Sequence, residues 1–155
     1  MRGMIAGVAV RPLLRIPDRR GEIMHMLRAD DPHFETFGEI YFSVVLPGVV
    51  KGWHLHRRMT LNYAVPVGQV RAVLYDGRPD SPTHGQVDEV SLGRDEYRLL
   101  TVRPGVWNGV LGLGDSPSVI ANCATEPHDP EEILRKPPRS EDIPYDWGEI
   151  SPDSG

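Results

Sequence analysis

The feature that most limits what this chain can fold into is its punctuation. Short apolar runs recur along all 155 residues, and turn chemistry closes nearly every one. IAGVAVRPLL, EIMHMLR, GEIYFSVVL, GVVKGWHLH, TLNYAVPVG, QVRAVLYD, VDEVSL, YRLLTV, NGVLGL and SVIANCA have the length and β-branched content of strands. Between them stand Pro17-Asp18, Leu46-Pro47-Gly48, Asp76-Gly77, Arg103-Pro104-Gly105 and the Gly112 to Pro117 stretch. Strands this short and this regularly interrupted predict an all-β antiparallel double-sheet sandwich or barrel. One short helix is expected after the last strand. Asp129 suits its cap, Pro130 its first position, and Glu131 and Glu132 its positive end, with Pro137-Pro138 as the stop. Residues 1–147 read as one domain. Residues 148–155 read as a polar tail with disordered last residues, Tyr145 and Trp147 being possible anchors just before it.

Composition narrows the function classes. A chain of this length holds one domain with a real core. The net charge of −5 argues against sequence-independent binding of nucleic acid, which needs clustered Lys and Arg. Cys123 is alone, so no intramolecular disulfide forms, and a reducing, cytoplasmic setting is expected. No apolar run reaches the length of a membrane span, and no partner membrane is predicted. Cys123 sits in the apolar run SVIANCA and reads as a structural thiol rather than a nucleophile.

The chemistry concentrates between Gly48 and Gly68, GVVKGWHLHRRMTLNYAVPVG. His54 and His56 are two residues apart in a β segment, so both imidazoles project to one side. An imidazole has an ordinary pKa of roughly 6.5, which suits it to proton transfer near neutral pH. The same pair can instead begin a metal site, or sit hydrogen-bonded in a barrel mouth. Trp53 points to the opposite face and reads as core or interface, whereas Trp107 is placed at the mouth or in the core.

The spacing G-x5-H-x-H-x11-G resembles the first motif of the cupin superfamily. More specifically, the chain resembles the dTDP-4-dehydrorhamnose 3,5-epimerase family, metal-independent cupin-type jelly rolls acting on nucleotide-linked 4-keto sugars. The matched pieces are Asp18-Arg19-Arg20-Gly21, Glu39 to Ser43, Lys51-Gly52-Trp53-His54, Gly68 to Asp76 and Arg78. Ser81-Pro82-Thr83, Pro104-Gly105, Asp129-Pro130 and Ile143 to Trp147 follow in order. The resemblance implies that His54 is the base that removes a proton beside the sugar ketone. It also implies that Lys51 replaces a substrate-binding arginine, that Arg20 meets the nucleotide diphosphate, and that Glu39 and Tyr41 lie near the nucleotide. Lys51 shares a face with His54 only if the strand bulges at Gly52.

Three positions depart from the family: its catalytic lysine is Leu61, its tyrosine acid is Asn122, and its second-motif histidine is Asn108. A donor to the enolate oxygen must then come from His56, Asn62 or Lys51, and a replacement acid from Tyr63 or Tyr41. Asn108 and Asn122 suit sugar binding. The expected site therefore has His54 and Tyr63 as catalytic groups. Arg20, Glu39, Tyr41, Lys51, His56, Asn62, Asn108 and Asn122 bind substrate, with no metal and no cofactor. The expected activity is epimerase-like isomerisation of a nucleotide-linked 4-keto-6-deoxy sugar by a homodimer paired through its N-terminal strand. A non-catalytic or repurposed cupin that binds a sugar or small carbonyl compound, and a metal-dependent cupin enzyme, remain the alternatives.

Overall fold

Alternation of side chains decides the architecture before any long-range contact does. In the segment Gln69-Val70-Arg71-Ala72-Val73-Leu74 the odd and even positions must face different layers, and each layer here finds its own core. The computed structural model describes residues 2–155. Its strands are β1 (Val8–Pro12), β2 (Arg15–Asp18), β3 (Gly21–Met24), β4 (Glu39–Val45), β5 (Val50–His56) and β6 (Leu61–Val67). They continue with β7 (Gln69–Tyr75), β8 (Val87–Gly93), β9 (Arg98–Val102), β10 (Trp107–Gly112), β11 (Ser118–Ala124) and β12 (Ile133–Lys136). Two five-stranded sheets, β1-β9-β6-β11-β4 and β12-β5-β10-β7-β8, face each other, and β2-β3 forms a separate hairpin. Every pairing is antiparallel. This is the expected all-β double sheet of jelly-roll, cupin type.

Val70, Ala72 and Leu74 point between the sheets, where they meet Val45, Leu61, Val65, Leu100 and Ile120. Val73, on the opposite face of β7, belongs to a second core with Val50, Trp53, Trp107, Leu111, Ile143 and Trp147. That second core lies outside the β5-β10-β7 sheet and is roofed by the C-terminal segment. Trp147 packs 5.2 Å from Trp53 and 4.9 Å, edge-on, from Tyr145. Both indole N–H groups of Trp53 and Trp147 donate to the Pro138 carbonyl. Trp107 is therefore a core residue and does not line a barrel mouth.

Two expectations for the C-terminal region are corrected. The helix is only a 3₁₀ turn, Pro130–Glu132, although Asp129 does cap it by accepting from the Glu131 amide. The next four residues find an open sheet edge and pair with β5, with Ile133 opposite His56 and Arg135 opposite His54. Four cross-strand neighbours supply more backbone partners than one further helical turn before Pro137. The terminal residues are not a loose tail. Gly155 N–H donates to the Val50 carbonyl, its own carbonyl accepts from Gly52 N–H, and the Val50 amide donates to Ser154 Oγ.

Candidate active site

A bulge creates the site. Register between β5 and β10 runs from His54 opposite Asn108 to Lys51 opposite Val110. Two residues, Gly52 and Trp53, thus stand against the single Gly109. The extra residue reverses the alternation, so Lys51, His54 and His56 all face the space between the sheets while Trp53 turns into the outer core. Gly52 is required there. A Cβ at this position would lie 3.0 Å from the Lys136 carbonyl oxygen, 3.1 Å from Pro138 and 3.2 Å from the Gly155 carbonyl oxygen.

The space is a cavity of about 360 Å³ with two chemically different walls. That volume is at the lower end of the roughly 300–1,000 Å³ typical of small-molecule sites. One wall, from the sheet containing β5, carries Lys51, His54, His56, Asn108, Ile133 and Arg135. The facing wall, from β4, β6 and β11, carries Glu39, Tyr41, Ser43, Tyr63 and Ile120. His128 and Met59 also line it, Met59 from the inter-sheet core.

The two imidazoles have opposite surroundings. His54 Nε2 lies 2.7 Å from Arg135 Nη1. Guanidinium has only donors, so this ring nitrogen accepts and His54 is neutral. Burial first, then the charges of Arg135, His56 and Lys51, pushes its pKa down to about 4. His56 instead holds a carboxylate, with Nδ1 hydrogen-bonded to Glu132 Oε1. Glu132 is 1% exposed. Burial alone would raise its pKa, but the bonds from His56 and from the amides of Arg58 and Met59 outweigh burial and hold the carboxyl below the usual range.

On the facing wall, Tyr41 OH accepts from Asn122 Nδ2 at 3.0 Å, which leaves its own proton free to point into the cavity. Tyr63 OH donates to Asn108 Oδ1 at 3.4 Å, and burial followed by the neighbouring Tyr41 pushes its ionisation well above the normal phenol range. Lys51 Nζ donates to Ser43 Oγ at 2.8 Å, bridging the two walls.

The cavity thus gathers His54, His56, Lys51, Glu39, Tyr41, Tyr63 and Asn108, and leaves out three expected residues. Asn62 is committed to structure: its Nδ2 donates to the Cys123 carbonyl and its Oδ1 accepts from Thr101 Oγ1. Asn122 sits behind the wall, accepting from the Asn62 amide and holding Tyr41. Arg20 lies in the β2-β3 hairpin, 82% exposed in its side chain and paired with Asp18. It is not among the residues that line the cavity of its own chain. Asp76 and Arg78 form a structural pair, reinforced by hydroxyl donation from Ser81 and Thr83.

Glu132, Arg135 and His128 were not signalled by sequence. Glu132 read as an acid suited to the positive end of a helix, and nothing in the sequence singled out Arg135 or His128. The pairing of β12 with β5 brings Arg135 to His54 and sets Glu132, the residue just before β12, against His56.

Residues 3–153 match the family model for dTDP-4-dehydrorhamnose 3,5-epimerase. The chain belongs to that family. It is 35% identical over 144 residues to the protein of Haloferax volcanii named "Probable low-salt glycan biosynthesis epimerase Agl13", covering 92% of this chain and 89% of that one. It is also 35% identical over 146 residues to SpsL of Bacillus subtilis, a spore coat polysaccharide biosynthesis protein, covering 93% and 97%. The crystal structure of a dTDP sugar isomerase from Desulfovibrio desulfuricans superposes with a TM-score of 0.90 at 49% identity, covering 92% of each chain. Leu61 is not simply a neutral stand-in for the resemblance's lysine; it is 1% exposed and part of the inter-sheet core.

Proposed function

We propose that the chain epimerises a carbon beside the ketone of a nucleotide-linked 4-keto-6-deoxy sugar, using proton transfer across this cavity. One observation carries the reading. Inverting a carbon needs a group that removes a proton on one face and a donor on the other, and the cavity offers imidazoles on one sheet and the Tyr41 hydroxyl on the facing sheet. The sequence relatives, named for glycan and polysaccharide biosynthesis, and the dTDP sugar isomerase structure support the substrate class.

Removing such a proton places negative charge on the ketone oxygen, which must be met by fixed donors. Lys51 and Arg135 both line the cavity with N–H donors, so they take over what Leu61 lacks. The same two cations suit the sugar-linked phosphates. His54 occupies the place that the resemblance gives to the base, and His56 is a second imidazole beside it. Asn122 no longer donates a proton, but it holds the Tyr41 hydroxyl at the strand position where the resemblance has its tyrosine, since Tyr41 and Asn122 are register partners.

Incubation with a dTDP-4-keto-6-deoxy sugar in deuterated water tests the reading. The product should gain mass at the carbon beside the ketone, and a His54→Ala, His56→Ala double variant should abolish the gain. Tight nucleotide-sugar binding with no exchange in the wild-type protein would instead favour a binding role. A metal-dependent reaction is disfavoured by Arg135, whose cation occupies the His54 lone pair that a metal would need.

A further inference from the structure

The geometry points to His56, two residues beyond the position the resemblance marks, as the imidazole that takes the proton, with Glu132 as its positioning residue. The assignment rests on the epimerase reading and says which group performs its first step.

The partners of the two rings separate them. The basic lone pair of His54 at Nε2 is engaged by Arg135, so this ring acts as a base only after the guanidinium leaves. His56 has no such obstacle. A buried carboxylate held in its ionised form only accepts, so the Nδ1 that meets Glu132 carries the proton. The lone pair is then on Nε2, in a ring that lines the cavity. This is the arrangement of a base whose tautomer is fixed by a third group.

Glu132 cannot swing away. Its Oε2 accepts from the amides of Arg57 and Arg58 at 3.0 Å and Met59 at 3.3 Å, while Oε1 faces His56. The turn after β5 therefore clamps the carboxylate, and the carboxylate clamps the ring. The charged and titratable groups around His56 are Glu132 behind it, and His54, Lys51, Arg135, His128, Glu39, Tyr41 and Tyr63 around the cavity.

In the proposed step the C–H bond beside the ketone breaks and its proton moves to His56 Nε2. The bonding pair forms the enolate C=C, and the carbonyl π pair moves onto oxygen, facing Lys51 or Arg135. The resulting imidazolium keeps its Nδ1–H on Glu132. The enolate C=C pair then takes a proton from the Tyr41 hydroxyl on the opposite wall, the oxygen pair re-forms the C=O bond, and the tyrosinate and imidazolium are reset by proton exchange with solvent.

The test measures deuterium uptake beside the ketone, across pH, for wild type, His54→Gln, His56→Gln and Glu132→Gln, with dTDP affinity measured for each. His56→Gln is expected to lose about 10²–10⁴-fold in exchange rate, the usual share of a general base, while keeping dTDP affinity within about threefold. His54→Gln, whose amide oxygen still accepts from Arg135, should lose about tenfold. Glu132→Gln should slow exchange and move the acid limb of the pH profile to lower pH, because the imidazolium loses its counter-charge; a purely structural role for Glu132 would leave that limb in place. If His54→Gln abolishes exchange with dTDP affinity retained, while His56→Gln stays active, the assignment is wrong and the epimerase reading stands. That comparison holds even if Glu132→Gln fails to fold. Absence of exchange in the wild-type protein overturns both.

Discussion

At the scale of single residues, the site works by giving similar side chains dissimilar neighbours. His54 faces a guanidinium and His56 a carboxylate, so one ring is held as an occupied acceptor and the other with a free lone pair. The two tyrosines divide in the same way. Tyr63 spends its proton on Asn108, whereas Tyr41 receives a bond from Asn122 and keeps its own. Tyr41→Phe should therefore leave deuterium exchange on the imidazole face largely intact while lowering net inversion by about 10²–10³-fold. Following washout and product stereochemistry by NMR in one reaction separates the two effects; equal losses in both would assign Tyr41 to binding. The residue types at 41, 54, 56 and 63 were legible in the sequence as proton-handling groups. Their division of labour was not, because each hydrogen-bond partner comes from another element of the chain.

At the scale of elements, the decisive piece is the bulge in β5. A flat strand would put Lys51 and His54 on opposite faces, and the Gly-Trp step between them is what allows the reversal. Sequence suggested the bulge at Gly52 because Lys51 and His54, three residues apart, share a face only if the strand bulges between them. The surroundings that forbid a side chain there became visible only in the fold: Lys136, Pro138 and Gly155 all approach Gly52 from the C-terminal segment. Gly52→Ala should cost about 1–3 kcal/mol by urea denaturation, the usual range for overpacking, and should weaken dTDP binding as Lys51 and His54 lose alignment. Unchanged stability would mean the C-terminal segment yields freely. The same segment explains why the expected helix failed. Pro130, Glu131 and Glu132 do begin one, but the open edge of β5 competes for the residues that follow, and a helix signal read locally has no knowledge of that edge.

At the scale of the whole molecule, two features reach beyond one cavity. The outer face of β4 carries Ile40, Phe42 and Val44 in solvent, with Phe42 67% exposed, on a strand at the edge of its sheet. The β2-β3 hairpin adds exposed Ile16 and Ile23, and carries the exposed Arg20, which does not line the cavity of its own chain. We propose that a second copy covers these surfaces and that Arg20 serves the partner's site. Sedimentation should then give a dimer, and Phe42→Asp should shift it toward monomer; a monomeric wild-type chain at micromolar concentration rejects this. Acid stability is a further whole-molecule property. His54 is held neutral with its pKa lowered to about 4, so between that value and its unfolded value of roughly 6.5 the unfolded chain binds the extra proton. Glu132 is also depressed, so its contribution is present above the unfolded carboxylate value and is lost as pH falls through its folded one. Both signs agree: the contribution of these two groups is fully present above about pH 6.5 and is lost as pH falls below it. Denaturant titrations across pH should show that decline, and His54→Gln should flatten its upper part, from about pH 6.5 to 4.

What the sequence determined by itself was the double sheet, through the alternation and the turn residues, and the presence of paired imidazoles on one strand. Those are local properties: the period of two and the chemistry of Gly, Pro and Asp act within a few residues. Tertiary structure alone decided which imidazole keeps a free lone pair, because Glu132 and Arg135 lie some eighty residues along the chain and meet the histidines only when β12 joins β5. It also decided that the C-terminal residues form a wall rather than a tail, since Ile143 and Trp147 become core only where Trp53 and Trp107 offer an apolar face.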